Sequence, residues 1–260
     1  MSLSINAGVP ERLTWKPNLR YYDRPVKVLR RVVLQEPFVQ SQTGRSLLEM
    51  HRLLLDHFGP QEWWPGETPL EVMVGAVLTQ NTNWANVEKA VLNLKAKELL
   101  SLKALDGLSI QALAEEIRPA GYFNIKAKRL KNLVRFVFER YNGSLEELSN
   151  ETIGILKEGL LSVNGVGPET ADSILLYALE RPVFVVDTYT HRILLRHGMA
   201  DEQMAYHELQ ELFVDHLPED LELFNEFHAL IVKTGKEYCK KRPRCGDCPL
   251  CEWEGGPVLE

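Results

Sequence analysis

Val163-Asn164-Gly165-Val166-Gly167-Pro168-Glu169-Thr170-Ala171 is the stretch on which the fold turns, and Val185-Val186-Asp187-Thr188 follows it closely. Two glycines one residue apart let the main chain bend tightly and leave amide N–H groups uncovered at the start of the next helix. There the helix dipole favours an anion. Pro168 suits the first turn of that helix. Ala171, Ile174, Leu175 and Ala178 then recur at helical spacing, which anchors the bend to a core. The segment offers a grip on phosphate that is indifferent to base sequence, and Asp187 places a carboxylate nearby. Asp187 also stands where a helix over Thr188–His197 needs its N-cap, and the two roles are compatible.

Outward from the bend, hydrophobic spacing is helical almost everywhere. The pattern predicts helices from Arg45 to Leu55, Leu70–Thr79, Trp84–Lys95, Ile110–Ile117, Lys126–Tyr141, Ile153–Val163, Thr170–Leu179, Met204–His216 and Leu221–Thr234. Breaks fall at Gly59-Pro60, Gly66, Gly107, Gly121, Asn142-Gly143 and Pro218. The expected class is all-α. Residues 1–43 mix Pro, Arg and Tyr with a β-favouring run and show no helical period, so their role stays open.

The chain has 260 residues, 45% hydrophobic and 25% charged, enough for one large core or two modest ones. It has no apolar run of about 18 residues that would cross a bilayer, and its first residues carry charges rather than a signal-peptide core. The expected setting is the cytoplasm, beside the nucleoid if the source is bacterial, without a membrane partner. A net charge of −6 runs against the basic balance common in nucleic-acid binders. Local segregation answers this: Arg12–Arg31 and Lys233–Arg244 are rich in Lys and Arg, while acid collects in Asp201–Glu226.

All four cysteines lie near the C-terminus, as Cys239-x5-Cys245-x2-Cys248-x2-Cys251. Spacing this close favours a metal centre over disulfides in a reducing compartment. Four thiolates suit an iron–sulfur cluster, with structural zinc as the alternative on the same ligand set. Lys236, Lys240, Lys241, Arg242 and Arg244 would make the loop a basic knob. Trp63-Trp64-Pro65 and Leu78-Thr79-Gln80-Asn81-Thr82-Asn83-Trp84 flank an apolar helix. Trp63, Trp64 and Trp84 are candidates to stack on an extruded base, with ordinary core packing as the plainer reading. Gln80 and Asn81 are candidates to fill the gap that base leaves.

Together these segments resemble the endonuclease III superfamily of helix-hairpin-helix DNA glycosylases, from about Leu70 to Cys251. The resemblance rests on Ala76-Val77-Leu78-Thr79-Gln80 with Thr82, on Gly165-Val166-Gly167 with Thr170-Ala171, on Phe184-Val185-Val186-Asp187-Thr188 with Arg192, and on Arg242-Pro243-Arg244-Cys245-Gly246-Asp247-Cys248. Within the superfamily, Trp63-Trp64-Pro65 and Leu78-Thr79-Gln80-Asn81-Thr82 look most like the 3-methyladenine DNA glycosylase III branch.

The resemblance implies two helical lobes, residues 69–187 with the hairpin and residues 44–68 plus 188–260 with the cysteine loop. Double-stranded DNA carrying a damaged base would sit between them. It places the catalytic aspartate at Asp187, the base pocket at Trp63, Trp64, Pro65 and Trp84, and DNA contacts at Gln80, Asn81, Gly165, Val166, Gly167 and Thr170. A [4Fe-4S] cluster would sit on Cys239, Cys245, Cys248 and Cys251, in a protein expected to be a monomer.

The implied reaction is hydrolysis of the N-glycosidic bond of an alkylated purine such as 3-methyladenine. Two alternatives are a glycosylase for oxidised or mismatched bases with weak lyase activity, and a non-catalytic damage binder. Two departures bear on this. Glu169 stands where bifunctional members carry a nucleophilic lysine, and a carboxylate cannot form a Schiff base with the sugar. Lys126, Lys128 and Lys157 are the other amines considered. The cysteine gaps are also shorter than the usual x6, x2 and x5.

Overall fold

The structure is a computed structural model that describes residues 41–61, 63 and 66–253. Trp64, Pro65 and nearly all of the 1–43 extension lie outside the described residues. Every regular element among the described residues is a helix. They are α1 (Gln42–Phe58), α2 (Pro69–Leu78), α3 (Trp84–Ala96), α4 (Leu102–Gly107), α5 (Ile110–Glu116), α6 (Phe123–Tyr141), α7 (Leu145–Ser149), α8 (Ile153–Ser162), α9 (Pro168–Ser173), α10 (Thr188–Arg196), α11 (Tyr206–Val214) and α12 (Leu221–Glu237). None is long and apolar enough to cross a membrane.

Local chemistry explains where most of them begin. Ser41, Thr68, Asn83, Ser101, Ser109, Ser144, Asp187 and Asp220 each sit in extended backbone before a helix and accept a first-turn amide. Each such cap is worth about 0.5–2 kcal/mol. The short helices α4 and α7 were not expected from spacing, because five or six residues are too few to display a period; Ser101 and Ser144 are their only local signal. The long helix α6 starts at Phe123, a turn earlier than its pattern suggests. Its cap residue Tyr122 has φ 47° and offers no side-chain bond.

Helix packing falls into two groups joined by one short turn. The helices α2 to α7 pack on one another, while α12 packs against α1 and α10, and α11 also packs against α1. After α9 the chain widens into a single π turn, Ile174–Ala178, which touches both α2 and α12. One continuous apolar core results. Its densest part is aromatic: Phe184 stacks on Phe213 at 3.8 Å, with Phe224 and Phe227 edge-on around the pair. Lys126 is buried at the centre of the first group, where its ammonium donates to Leu78 O and Ala120 O, both at 2.8 Å. It satisfies two carbonyls that helix ends would otherwise leave without donors.

Candidate active site and nucleic-acid interface

The helix–hairpin–helix is α8, the turn Val163–Gly167, and α9. Gly165 has φ +98°, and a Cβ there would lie 2.2 Å from Arg129 Cγ, so both backbone and space demand glycine. A Cβ on Gly167 would meet nothing within 4 Å. The Val166 amide closes onto Val163 O at 3.0 Å, so it is not available to a phosphate. Among the described residues, the amides of Gly165 and Gly167 have no acceptor, and they remain the candidate anion donors.

Gln80 is committed to this hairpin. Its Nε2 donates to Gly165 O at 3.0 Å and to Thr170 Oγ1 at 2.9 Å, and its Oε1 accepts from Arg129 Nη1 at 2.5 Å. Thr170, buried, thus braces Gln80 in the unbound protein. Asn81, at φ 54° and exposed, is the amide that projects from the same corner. Trp84 is turned toward the core: its Cη2 would lie 3.2 Å from a Cβ on Gly75 of α2. The rest of the ring is only partly buried, so Trp84 packs through one edge and keeps surface beside Gln80 and Asn81.

Asp187 is where cap and cleft meet. Its Oδ1 accepts from the Thr190 amide at 2.8 Å and from Thr190 Oγ1 at 2.9 Å, holding the first turn of α10. Its Oδ2 lies 3.8 Å from Nε2 of His228, a buried residue on α12. Tyr177, in the π turn, hydrogen-bonds the other ring nitrogen of His228. Burial, then the charges of Asp187 and Glu226, push the Tyr177 phenol well above its usual range. Burial lowers the His228 pKa, Lys236 adds to that, and Asp187 opposes it.

Two further groups feel the Asp187 charge. Glu169 reaches solvent from the first turn of α9, yet its carboxyl is partly desolvated. That desolvation, with the Asp187 charge, raises its pKa to about 7. Lys236 stands with Nζ 5.4 Å from the centre of the Trp63 ring, and burial lowers its pKa while Asp187 opposes the shift. The strand of chain bearing Trp63 is pinned by Glu226, whose Oε1 accepts from the Gln61 amide at 2.7 Å. The other amines considered from sequence do not converge here: Lys126 is buried on its two carbonyls, Lys157 pairs with Asp172 at 3.1 Å, and Lys128 points to solvent.

Sequence reading missed Tyr177, His228 and Arg129, and took Lys236 only as part of the basic knob. Of the three, only His228 left a trace, as a lone polar residue in the apolar run Phe227-His228-Ala229-Leu230-Ile231.

Cys239, Cys245 and Cys248 line a cavity with Arg196, His197 and Leu250. Arg196 Nη1 donates to Cys239 Sγ at 3.2 Å, and Arg192 Nε donates to Cys239 O at 2.7 Å. Burial, with the charges of Cys239, Cys245 and Cys251, raises the Cys248 pKa. No three His, Cys, Asp or Glu side chains among the described residues close around a point where a single ion would fit.

Fold and cleft together define a helix-hairpin-helix repair enzyme. The family model for the HhH-GPD superfamily of base excision DNA repair proteins matches residues 74–219, and the chain belongs to that superfamily of glycosylases. Its similarities are consistent with this. An inferred DNA repair glycosylase of Methanocaldococcus jannaschii is 50% identical over 210 residues, 80% of this chain and 94% of that protein. The H. pylori 3-methyladenine DNA glycosylase MagIII, solved with 1,N6-ethenoadenine, is 32% identical, with a TM-score of 0.64 over 76% of this chain and 98% of its own. An endonuclease III trapped as a covalent intermediate with DNA, 21% identical, shares the fold at a TM-score of 0.70 over 83% of this chain and 98% of its own.

Proposed function

We propose that this glycosylase binds double-stranded DNA and hydrolyses the N-glycosidic bond of an extruded alkylated purine such as 3-methyladenine, without cutting the strand. The observation that carries the reading is the Asp187 carboxylate, anchored through Oδ1 while Oδ2 makes no hydrogen bond among the described residues, in a protein whose hairpin keeps two unspent amides. Alkylation leaves the base cationic and ready to depart. The C1′–N bond breaks with its electron pair going to the base, and the sugar becomes a cation that a fixed carboxylate stabilises. Water adds to C1′ and gives its proton to Asp187 or the solvent. Trp63, Trp64, Pro65 and Trp84 would line the pocket for the base. Similarity to MagIII supports the substrate class, and Glu169 at the lysine position supports hydrolysis alone.

Release of free 3-methyladenine from methylated duplex, with no adduct trapped by borohydride, is the expected result. An adduct that disappears on Lys236→Gln would overturn the hydrolytic reading, since Lys236 is the amine the cleft holds.

One observation favours a second substrate class. Lys236 already covers the Trp63 face with a cation, which suits a neutral oxidised or mismatched base with carbonyl acceptors better than a charged one. Thymine glycol and mismatch duplexes in the same panel separate the two.

Cys239, Cys245, Cys248 and Cys251 would hold an iron–sulfur cluster. Cys239, Cys245 and Cys248 line one cavity and Cys251 follows three residues on, a four-thiolate set that suits such a cluster, with zinc as the alternative on the same ligands. The Arg196 donor offsets thiolate charge. When bound, the cluster would supply a rigid knob for the C-terminal loop; iron analysis and visible absorbance of the purified protein test it.

A further inference from the structure

Tyr177, His228 and Asp187 form a line running from the π turn through α12 to the cap of α10. The first two are buried, and His228 Nε2 has no hydrogen-bond partner among the described residues although it points at Asp187 Oδ2 from 3.8 Å. A buried polar atom without a partner costs about 1–3 kcal/mol and calls for an explanation.

The ring's proton can be placed by elimination. The Tyr177 phenol keeps its proton and has the Nδ1 nitrogen as its neighbour. If Nδ1 carried a proton too, the phenol proton would lack an acceptor in a closed site, and the Nε2 lone pair would face a carboxylate. With Nδ1 accepting from Tyr177, the proton lies on Nε2 and points at Oδ2. The charged groups around the ring are Asp187, Lys236 on the same face of α12, and Glu226, which acts on Tyr177. The separation of 3.8 Å is too long for a hydrogen bond, but bonds of this kind tighten when substrate enters.

We propose that His228, fixed in its Nε2–H form by Tyr177, is a positioning residue that closes on Asp187 Oδ2 when a nucleotide fills the cleft. The carboxylate is then gripped from both sides, by Thr190 on Oδ1 and His228 on Oδ2, and keeps one lone pair directed at the sugar. No proton leaves the ring at any stage. The proposal rests on Asp187 being the catalytic carboxylate.

The test uses the shape of the substitutes. The Asn side chain carries its amide about where Nδ1 sits and can keep Tyr177 company, whereas the Gln side chain reaches to Nε2 and can serve Asp187. Single-turnover base release from methylated duplex is measured for His228→Asn, His228→Gln and Tyr177→Phe, each checked for folding and DNA affinity. His228→Asn should fall about 30-fold, His228→Gln about 5-fold and Tyr177→Phe about 5-fold, with Kd unchanged. On Asp187→Asn protein, His228→Asn should cause no further loss. Nitrogen NMR should show the Nε2–H ring in the native protein and a mixture in Tyr177→Phe.

Asn outperforming Gln would show a merely structural role and overturn the proposal, as would an Nδ1–H ring or equal losses in both backgrounds. A native protein that releases another lesion but no methylated base counts against the substrate class alone, since the rank order and the ring spectrum read the same on whichever base it does release.

Discussion

Arg129 and Gly165 occupy one space: the methylenes of the arginine fill the volume a side chain at 165 would need, while its guanidinium holds Gln80. Gly167, two residues on, faces open surroundings. The two glycines therefore answer to different demands, and substitution separates them. Gly165→Ala should destabilise the fold by at least about 2 kcal/mol, from positive φ and overpacking together. Gly167→Ala should melt within a few degrees of the native protein yet bind duplex DNA roughly tenfold more weakly, because the added methyl stands where a phosphate must approach. Thermal melts and a binding titration at fixed salt read both, and equal melting temperatures would refute the distinction.

Asp187→Asn keeps an oxygen for the Thr190 amide and loses the charge. Stability should change by less than about 1 kcal/mol. Base release should drop by a factor of about a hundred or more. A folded variant with native turnover would remove Asp187 from the chemistry.

Glu169 gives the cleft a dependence on pH. Its pKa rises from 4.5 to about 7 on folding, so the folded protein binds that proton more tightly than the unfolded chain does. The favourable contribution is whole below about pH 4.5 and is lost as pH climbs toward 7. Glu169→Gln, which stays neutral, should therefore melt higher than the native protein at about pH 8 and show a smaller difference at about pH 4. A constant difference across that range would mean the carboxyl titrates in the ordinary way.

Lys236 faces Trp63 and should set preference between charged and neutral bases. Lys236→Gln should raise kcat/KM for release of cationic 3-methyladenine by about 2–5-fold and lower it for carbonyl-bearing neutral bases by a similar factor. Parallel shifts for both classes would mark the lysine as a DNA-backbone contact instead.

Legibility from sequence followed the range of the interaction. The hairpin and the cap of α10 are short segments whose chemistry is local, so Gly165, Gly167 and the capping role of Asp187 could be read directly. Helices long enough to repeat an apolar face were equally plain, whereas α4 and α7 were not. What could not be read were meetings across the chain: Tyr177 with His228, Arg129 with Gln80, Lys236 with Trp63. Trp84 is a mixed case: its position beside two amides is plain in the sequence, while the contact of its ring edge with Gly75 is not.

The widened turn at Ile174–Ala178 has an evolutionary corollary. A helix advances about 100° per residue, so a relative that lost one residue here would tighten to ordinary α geometry and swing Tyr177 a quarter-turn or more away from α12. Such a relative would keep its carboxylate and its hairpin while its imidazole drifted between tautomers. Length across these five positions, more than identity at any of them, should therefore mark which kin share the histidine-braced aspartate.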